Sequence, residues 1–330
     1  MMCENSLPFV SIIIPARDES RVIIRCLASV LALDWPRECM EVILVDNGST
    51  DGTREIAAKM LSPDGRGRVL SKTDGSIASV RNFGWQHARG EVLAFIDADC
   101  VVDTKWLSFC ISDLDLPNVG VVGTRAVPDF EQATWVEKSW YNLCSGAPRP
   151  DNPAWIGSSN LVIKKENFEE INGFDEKLET AEDADFCQRI RNTLLIMLEK
   201  RIDTIHLGES KSLRELFKRE LWRGKSSIRQ FFQTDNKSEV LTSVIVPPLF
   251  PAMLTFGLIE TLYFREWRIL LIAFILPFGF ILKKKSKIFN LWSLLKVYAV
   301  AFVYLLARGC SFGYEILLVA VKFIKHLRNA

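Results

Sequence analysis

Apolar residues in the first half of this chain fall in short β-branched runs separated by stretches of helical spacing. Val10 to Ile14 is such a run, bounded by prolines at 8 and 15, and predicts a buried strand. From Glu19 to Leu33, residues Ile23, Ile24, Leu27, Val30 and Leu31 share one helical face until Asp34-Trp35-Pro36 ends it. A second strand, Glu41 to Val45, runs into the turn-rich stretch Asp46-Asn47-Gly48-Ser49-Thr50-Asp51-Gly52, which opens a helix near Thr53. A helix from Ala78 to Ala88 then leads through Gly90 into the strand Val92 to Ile96. This alternation predicts a doubly wound α/β fold with a mostly parallel sheet, whose ligands bind beyond the carboxyl ends of the strands. Three segments follow strands in that way: Pro15 to Glu19, Asp46 to Asp51 and Asp97 to Asp99. Beyond Asp103 the pattern loosens. Strands are expected at Val119 to Val122, Leu161 to Ile163 and Ile202 to His206, and helices at Lys165 to Ile171 and Ala181 to Asn192.

The last third has a different rhythm. Between Lys211 and Gln233 apolar residues recur at helical spacing among Arg214, Lys218, Arg219, Arg223, Lys225 and Arg229. This is either a basic helix lying on an anionic membrane surface or a helix packed on the body with a solvated basic face. Leu241 to Ile259 and Ile269 to Leu282 are uncharged, and the second is followed at once by Lys283, Lys284, Lys285 and Lys287. Two spans arranged as a hairpin fit best, with the basic cluster held on the cytoplasmic side and Arg265-Glu266 outside. Ile288 to Val321 is apolar but interrupted by Lys296, Arg308 and Glu315, so it is either two further spans or interfacial helices. The expected domains are a cytosolic catalytic body at 1–210, an interfacial helix at 211–239 and membrane helices at 240–330.

Charge sharpens this division. The 330 residues carry a net charge of only +1, but Val240 to Ala330 holds 11 Lys and Arg against three Glu, a net of +8, which leaves −7 on residues 1–239. An acidic body on a basic, apolar tail argues against nucleic acid as a partner and for a soluble domain anchored to a membrane. The eight cysteines form no C-x-x-C pair, so neither a zinc knuckle nor a disulfide framework is expected, and a reducing compartment is the simplest setting. The first twenty residues lack a basic start and a long apolar run, so no signal peptide is expected. The body is placed in the cytoplasm, on a multi-pass cell-membrane protein.

Candidate chemistry lies in the acidic clusters. Asp97-Ala98-Asp99 ends a central strand, where two carboxylates can share a divalent cation and a ribose. The same spacing recurs at Asp113-Leu114-Asp115 and Asp183-Ala184-Asp185, so position distinguishes the first copy, not the pattern. No P-loop or G-x-G-x-x-G sequence is present, which leaves a metal to hold phosphates. Asp46 is placed either to accept the imide N–H of a uracil ring or simply to start a turn. Glu182 and Asp183 open a helix, where acids are favoured by the helix dipole alone, but a carboxylate is also the natural base for a hydroxyl acceptor. His206 is a metal ligand or a structural histidine.

Four segments in order, Val10-Ser-Ile-Ile-Ile-Pro-Ala-Arg-Asp-Glu19, Val45-Asp-Asn-Gly-Ser-Thr-Asp-Gly-Thr53, Ala78 to Asp99, and Glu182-Asp-Ala-Asp185, resemble the signatures of family 2 glycosyltransferases with the GT-A fold. The resemblance covers roughly residues 9–225. It implies inverting transfer of one sugar from a nucleotide-diphosphate sugar, usually a UDP-sugar, with Mn²⁺ or Mg²⁺ bound. Carried onto this chain, it places Pro15, Arg17, Glu19, Asp46 and Arg81 at the nucleotide sugar. Asp97 falls at the ribose or metal, Asp99 at the metal, His206 at the metal or the diphosphate, and Asp183, beside Glu182, becomes the catalytic base. Arg223 would add a cation at the leaving group. Asp18 stands where the family more often has Asn. The Q-x-x-R-W sequence of processive synthases is missing, the chain offering only Arg219-Glu-Leu-Trp222-Arg223-Gly224, so transfer of a single sugar is expected. The expected acceptor is a lipid or lipid-linked glycan at the membrane. A soluble acceptor, or a non-catalytic nucleotide-sugar-binding subunit of a membrane complex, are the alternatives.

Overall fold

The first strand runs Val10–Ala16 (β1) with every residue buried, because helices cover both of its faces and neither face needs polar side chains. In the computed structural model, which describes residues 7–63, 65–144, 150–226 and 237–328, the same holds for Met40–Asp46 (β2) and Val92–Ile96 (β4). Successive side chains point to opposite faces. Ile12, Ile14, Val42, Leu44, Ala94 and Ile96 therefore join one core, and Ile13, Ile43, Val45, Leu93 and Phe95 the other. The first core is closed by the helices Ile23–Leu31 (α1), Thr53–Leu61 (α2) and Trp106–Leu114 (α4). The second is closed by Ile77–Gln86 (α3), Lys165–Glu170 (α6) and Glu182–Ile190 (α7), around a cluster of Phe95, Phe168, Phe174 and Phe186.

Adding Gly67–Ser71 (β3), Cys100–Val101 (β5), Val119–Val127 (β6), Asn160–Lys164 (β7) and Leu195–His206 (β8) gives one eight-stranded sheet in the order β3-β2-β1-β4-β7-β6-β8-β5. The half β3-β2-β1-β4 is parallel throughout. The other half is mixed, with β7 antiparallel to both β4 and β6, β6 parallel to β8, and β5 antiparallel to β8. Chain order reverses at β1, which has β2 on one side and β4 on the other, and this reversal opens a crevice beyond their carboxyl ends.

The chain divides into two compact units, one drawn from Met1–Asp129 and Arg149–Gly208, the other from Phe130–Pro148 and Glu209–Ala330. The segment carrying Trp135–Cys144 (α5) is grouped with the helices. In the helical unit, α5 and Leu213–Arg223 (α8) contribute Val136, Trp140, Leu143 and Leu216 to a core. Lys237–Phe264 (α9), Arg268–Lys283 (α10) and Leu291–Arg328 (α11) add Phe250, Phe280, Ile281, Val300 and Leu305. The basic helix expected to reach Gln233 ends as α-helix at Arg223 with a short 3₁₀ turn to Ser226, and residues 227–236 lie outside the described ones. Two stretches, Val246–Phe264 and Leu291–Tyr314, are long and apolar enough to cross a membrane. The second leg of the expected hairpin, α10, has 16 residues, about 24 Å of helix at 1.5 Å per residue, against a hydrocarbon core of about 30 Å. From Leu291 on, the region from 288 to 321, expected as two further spans or interfacial helices, is the single helix α11.

Cys39 is buried and disulfide-bonded, while the other described cysteines are free.

Candidate active site

The crevice at the ends of β1 and β4 holds a cavity of about 180 Å³ lined by Pro15, Ala16, Arg17, Glu19, Asn47, Ile77, Val80, Asp97, Ala98 and Asp99. Five of the residues expected at a donor site, Pro15, Arg17, Glu19, Asp97 and Asp99, thus meet in one place. The loop after β1 is held by its neighbour after β2. Asp18 takes a left-handed conformation (φ 55°), which Asp and Asn tolerate better than most residues. Its carboxylate accepts the Thr50 N–H at 2.8 Å, while the Glu19 N–H donates to Thr53 Oγ1 at 2.8 Å and the Ser20 N–H to Asp51 at 2.9 Å. Asn47 and Gly75 exchange two hydrogen bonds across the crevice edge.

Three carboxylates converge on the cavity. Burial, reinforced by the negative charges of Asp99 and Asp97, pushes Glu19 up to about 7. Such a cavity disfavours a diphosphate unless a cation is present. His206 is brought to it because β5 pairs antiparallel with the end of β8, putting Cys100 opposite His206. His206 Nε2 lies 3.6 Å from Asp99 Oδ1, and ligand atoms of Asp99, Cys100 and His206 all fall within 4.8 Å of one another. Burial raises the Cys100 thiol well above its ordinary range, so the carboxylate and the imidazole are the better donors. A Cβ at Gly208 would sit 1.7 Å from Asp99 Oδ2, so a larger residue there would displace that carboxylate.

The other expected residues lie elsewhere. Asp46 is buried beneath the crevice, and its carboxylate accepts the Ser49 N–H at 3.3 Å. Arg81, on α3, is enclosed and uses its two terminal nitrogens on Asp97 (2.6 Å) and Glu182 (2.7 Å). Glu182 is held by Arg81 and by the Ser158 hydroxyl at 3.4 Å. Asp183, its neighbour in the first turn of α7, is half-buried, and its Oδ1 accepts the Ala184 N–H at 2.8 Å. Arg223 belongs to the helical unit, where it pairs with Glu220 at 3.0 Å. Asn47, Ile77 and Val80 were not picked out from the sequence, although Asn47 sits inside the turn-rich motif that was.

Residues 11–184, just over half the chain, match the family model described as glycosyl transferase family 2. The chain belongs to that family. It is 28% identical over 239 residues to Glycosyltransferase AglE of Haloferax volcanii, covering 68% of this chain and 75% of that protein. It is 29% identical over 138 residues to a beta-monoglucosyldiacylglycerol synthase of Nostoc sp., covering 41% of this chain and 30% of that one. Its fold matches that of mannosyltransferase PcManGT from Pyrobaculum calidifontis, solved with GDP-Man and Mn²⁺, with a TM-score of 0.66 and 19% identity over 93% of this chain and 88% of that one. The architecture is therefore of the GT-A type, and the chain is a glycosyltransferase.

Proposed function

We propose that this glycosyltransferase moves a single sugar, with inversion, from a UDP-sugar to a hydroxyl of a lipid or lipid-linked acceptor at a membrane, using Mn²⁺ or Mg²⁺. The observation that carries the proposal is the convergence of Glu19, Asp97 and Asp99 on one cavity at the sheet's switch point, with His206 3.6 Å from Asp99. The mixed oxygen and nitrogen donors of Asp99 and His206 fit a divalent cation and favour Mn²⁺ over Mg²⁺. Bound there, the cation would supply the counter-charge that a departing diphosphate needs. PcManGT, solved in complex with GDP-Man and Mn²⁺, supports this reading of the chemistry.

Asp97 takes the ribose side and Asp46 accepts from the base. Asp183 acts as the base. Its carboxylate takes the proton of the acceptor hydroxyl, whose oxygen attacks the anomeric carbon from the face opposite the diphosphate. The bond from that carbon to the diphosphate breaks and the configuration inverts. The membrane acceptor is supported by the apolar helices, by the lysines at 283–287 and by the diacylglycerol glycolipid named for one relative. Membranes containing the protein, given a panel of radiolabelled nucleotide sugars and then extracted for lipid, should label lipid with one UDP-sugar. Asp183→Asn should bind nucleotide normally while turnover falls by about 10²- to 10⁴-fold. Label confined to water-soluble acceptors would overturn the lipid assignment, and parallel loss of binding and turnover would make Asp183 structural.

A further inference from the structure

Arg81 is a buried cation that the transfer scheme above leaves unused. Its side chain is 3% exposed, under the ring of Phe174, with one terminal nitrogen on Asp97 and the other on Glu182. Only one of these partners lines the cavity. Asp97 follows β4 and lines the donor cavity, whereas Glu182 is the first residue of α7 and precedes Asp183. The entry to α7 is strained, because Ala181 adopts a left-handed conformation (φ 66°) that a residue with a Cβ resists. Ala181 offers no side-chain cap to that helix, and the first-turn N–H of Ala184 is taken by Asp183 Oδ1 at 2.8 Å. Arg81 Nε is buried without a hydrogen-bond partner among the described residues, so the guanidinium is placed to span the two carboxylates and not to satisfy all its own donors.

We infer that Arg81 is a positioning residue: by clamping Glu182 to Asp97 it fixes the carboxylate of Asp183 relative to the donor cavity. This rests on the proposed role of Asp183 as base. A planar guanidinium can hold two carboxylates at once through separate nitrogens, while a lysine ammonium acts as a single point charge and would keep only one of them in place. Loss of the clamp should therefore affect the chemical step, which needs the base aligned with the anomeric carbon, more than nucleotide binding, because Arg81 is enclosed and is not among the residues lining the cavity.

The test uses the full chain in membranes. Turnover and donor KM are measured alongside calorimetric titration with UDP and with GDP in the presence of Mn²⁺. Arg81→Lys should lower kcat by roughly 10²-fold, the cost of a small misplacement of a catalytic group. Donor KM and nucleotide affinity should stay within about threefold. Glu182→Gln, which keeps the shape and loses the charge, should give the same split even if the lysine variant fails to fold. The double variant should lose no more than either single one, since both break one clamp. Unchanged kcat in both variants overturns the inference, as does nucleotide affinity falling in step with kcat. A wild-type chain that transfers no sugar from any donor would instead overturn the proposed function, so the two failures are distinguishable.

Discussion

The two units of this protein put apolar and charged side chains in opposite places. In the α/β unit, β1, β2 and β4 are buried along their whole length, and the acids gather beyond the strand ends, around a crevice. In the helical unit, Phe264, Leu282, Phe289 and Trp292 are more than two-thirds exposed, while Glu220 is completely buried between Arg223 and Arg308. The first arrangement is that of a protein folded in water. The second is what a lipid surface favours: large apolar and aromatic groups outside, cations at the helix ends, and interior charges only where paired. The same ionic group therefore has a different job in each unit. At the crevice, carboxylates kept close together against their mutual repulsion create a need for a cation. In the helical unit a carboxylate answers cations already present.

The strongest way to break this contrast is at the crevice. Asp99→Asn keeps the shape of the side chain but removes one of the two best metal donors and its charge. Transfer should fall about 10³-fold and its dependence on Mn²⁺ should weaken, because no P-loop holds the diphosphate otherwise. Full activity in this variant, measured across a Mn²⁺ titration, would show that the three carboxylates do not serve a metal.

The corresponding change in the helical unit is Glu220→Leu. Glu220 accepts from Arg308 Nε at 2.8 Å and from Arg223 at 3.0 Å, and Arg308 also donates to the Arg223 carbonyl at 3.1 Å. Leucine fills much of the volume but leaves the arginines facing each other without an anion, a loss of about 3 kcal/mol for a broken buried pair. Thermal unfolding in detergent should show the helical unit melting earlier, with nucleotide binding intact. An unchanged melting curve would mean that these charges are solvated.

The contrast also governs how much could be read from the sequence. Strands covered on both faces carry continuous apolar runs, so the strand expected at Val92 to Ile96 matches the structure residue for residue. By comparison, β3 went unseen because it is a half-buried edge strand carrying Arg68 and Ser71, with a neighbour on one side only. Helix α5 was missed because its buried face includes Glu137 and Ser139, which break the apolar period. Acids next to strand ends were legible as motifs. Contacts made by folding were not: Arg81 meets Glu182 across 101 positions of sequence. His206 reaches Asp99 through β5, a strand of two residues with no periodicity to show, so the family resemblance and not the pattern joined the two. Nor does the polar–apolar pattern show that 130–148 leaves the α/β unit, because unit membership depends on partners distant in the chain.

The smallest predicted effect concerns a carboxylate enclosed in the sheet of the α/β unit. Glu41, on β2, is buried, yet it accepts from the Ser11 hydroxyl at 2.7 Å, from the Arg89 N–H at 2.7 Å, and from the guanidinium groups of Arg68 and Arg89 at 2.9 and 3.1 Å. Burial alone would raise its pKa. The Arg89 N–H, the Ser11 hydroxyl and the two guanidinium charges outweigh burial and hold it below the ordinary value of 4.5. With the folded-state value depressed, the ionised carboxylate contributes stability that is fully present above about 4.5 and is lost as pH falls through the folded value. Unlike the arginines around Glu220, Arg89 is 69% exposed and can return to water when its partner is lost. Glu41→Gln should therefore cost only about 1–3 kcal/mol at pH 7, the range for a lost buried hydrogen-bonding charge. That gap between variant and wild type should narrow as the pH is lowered below 4.5 in denaturant titrations. A gap that is independent of pH would assign the stabilisation to packing and not to the ionised carboxylate, and a cost matching that of Glu220→Leu would erase the distinction between the two units.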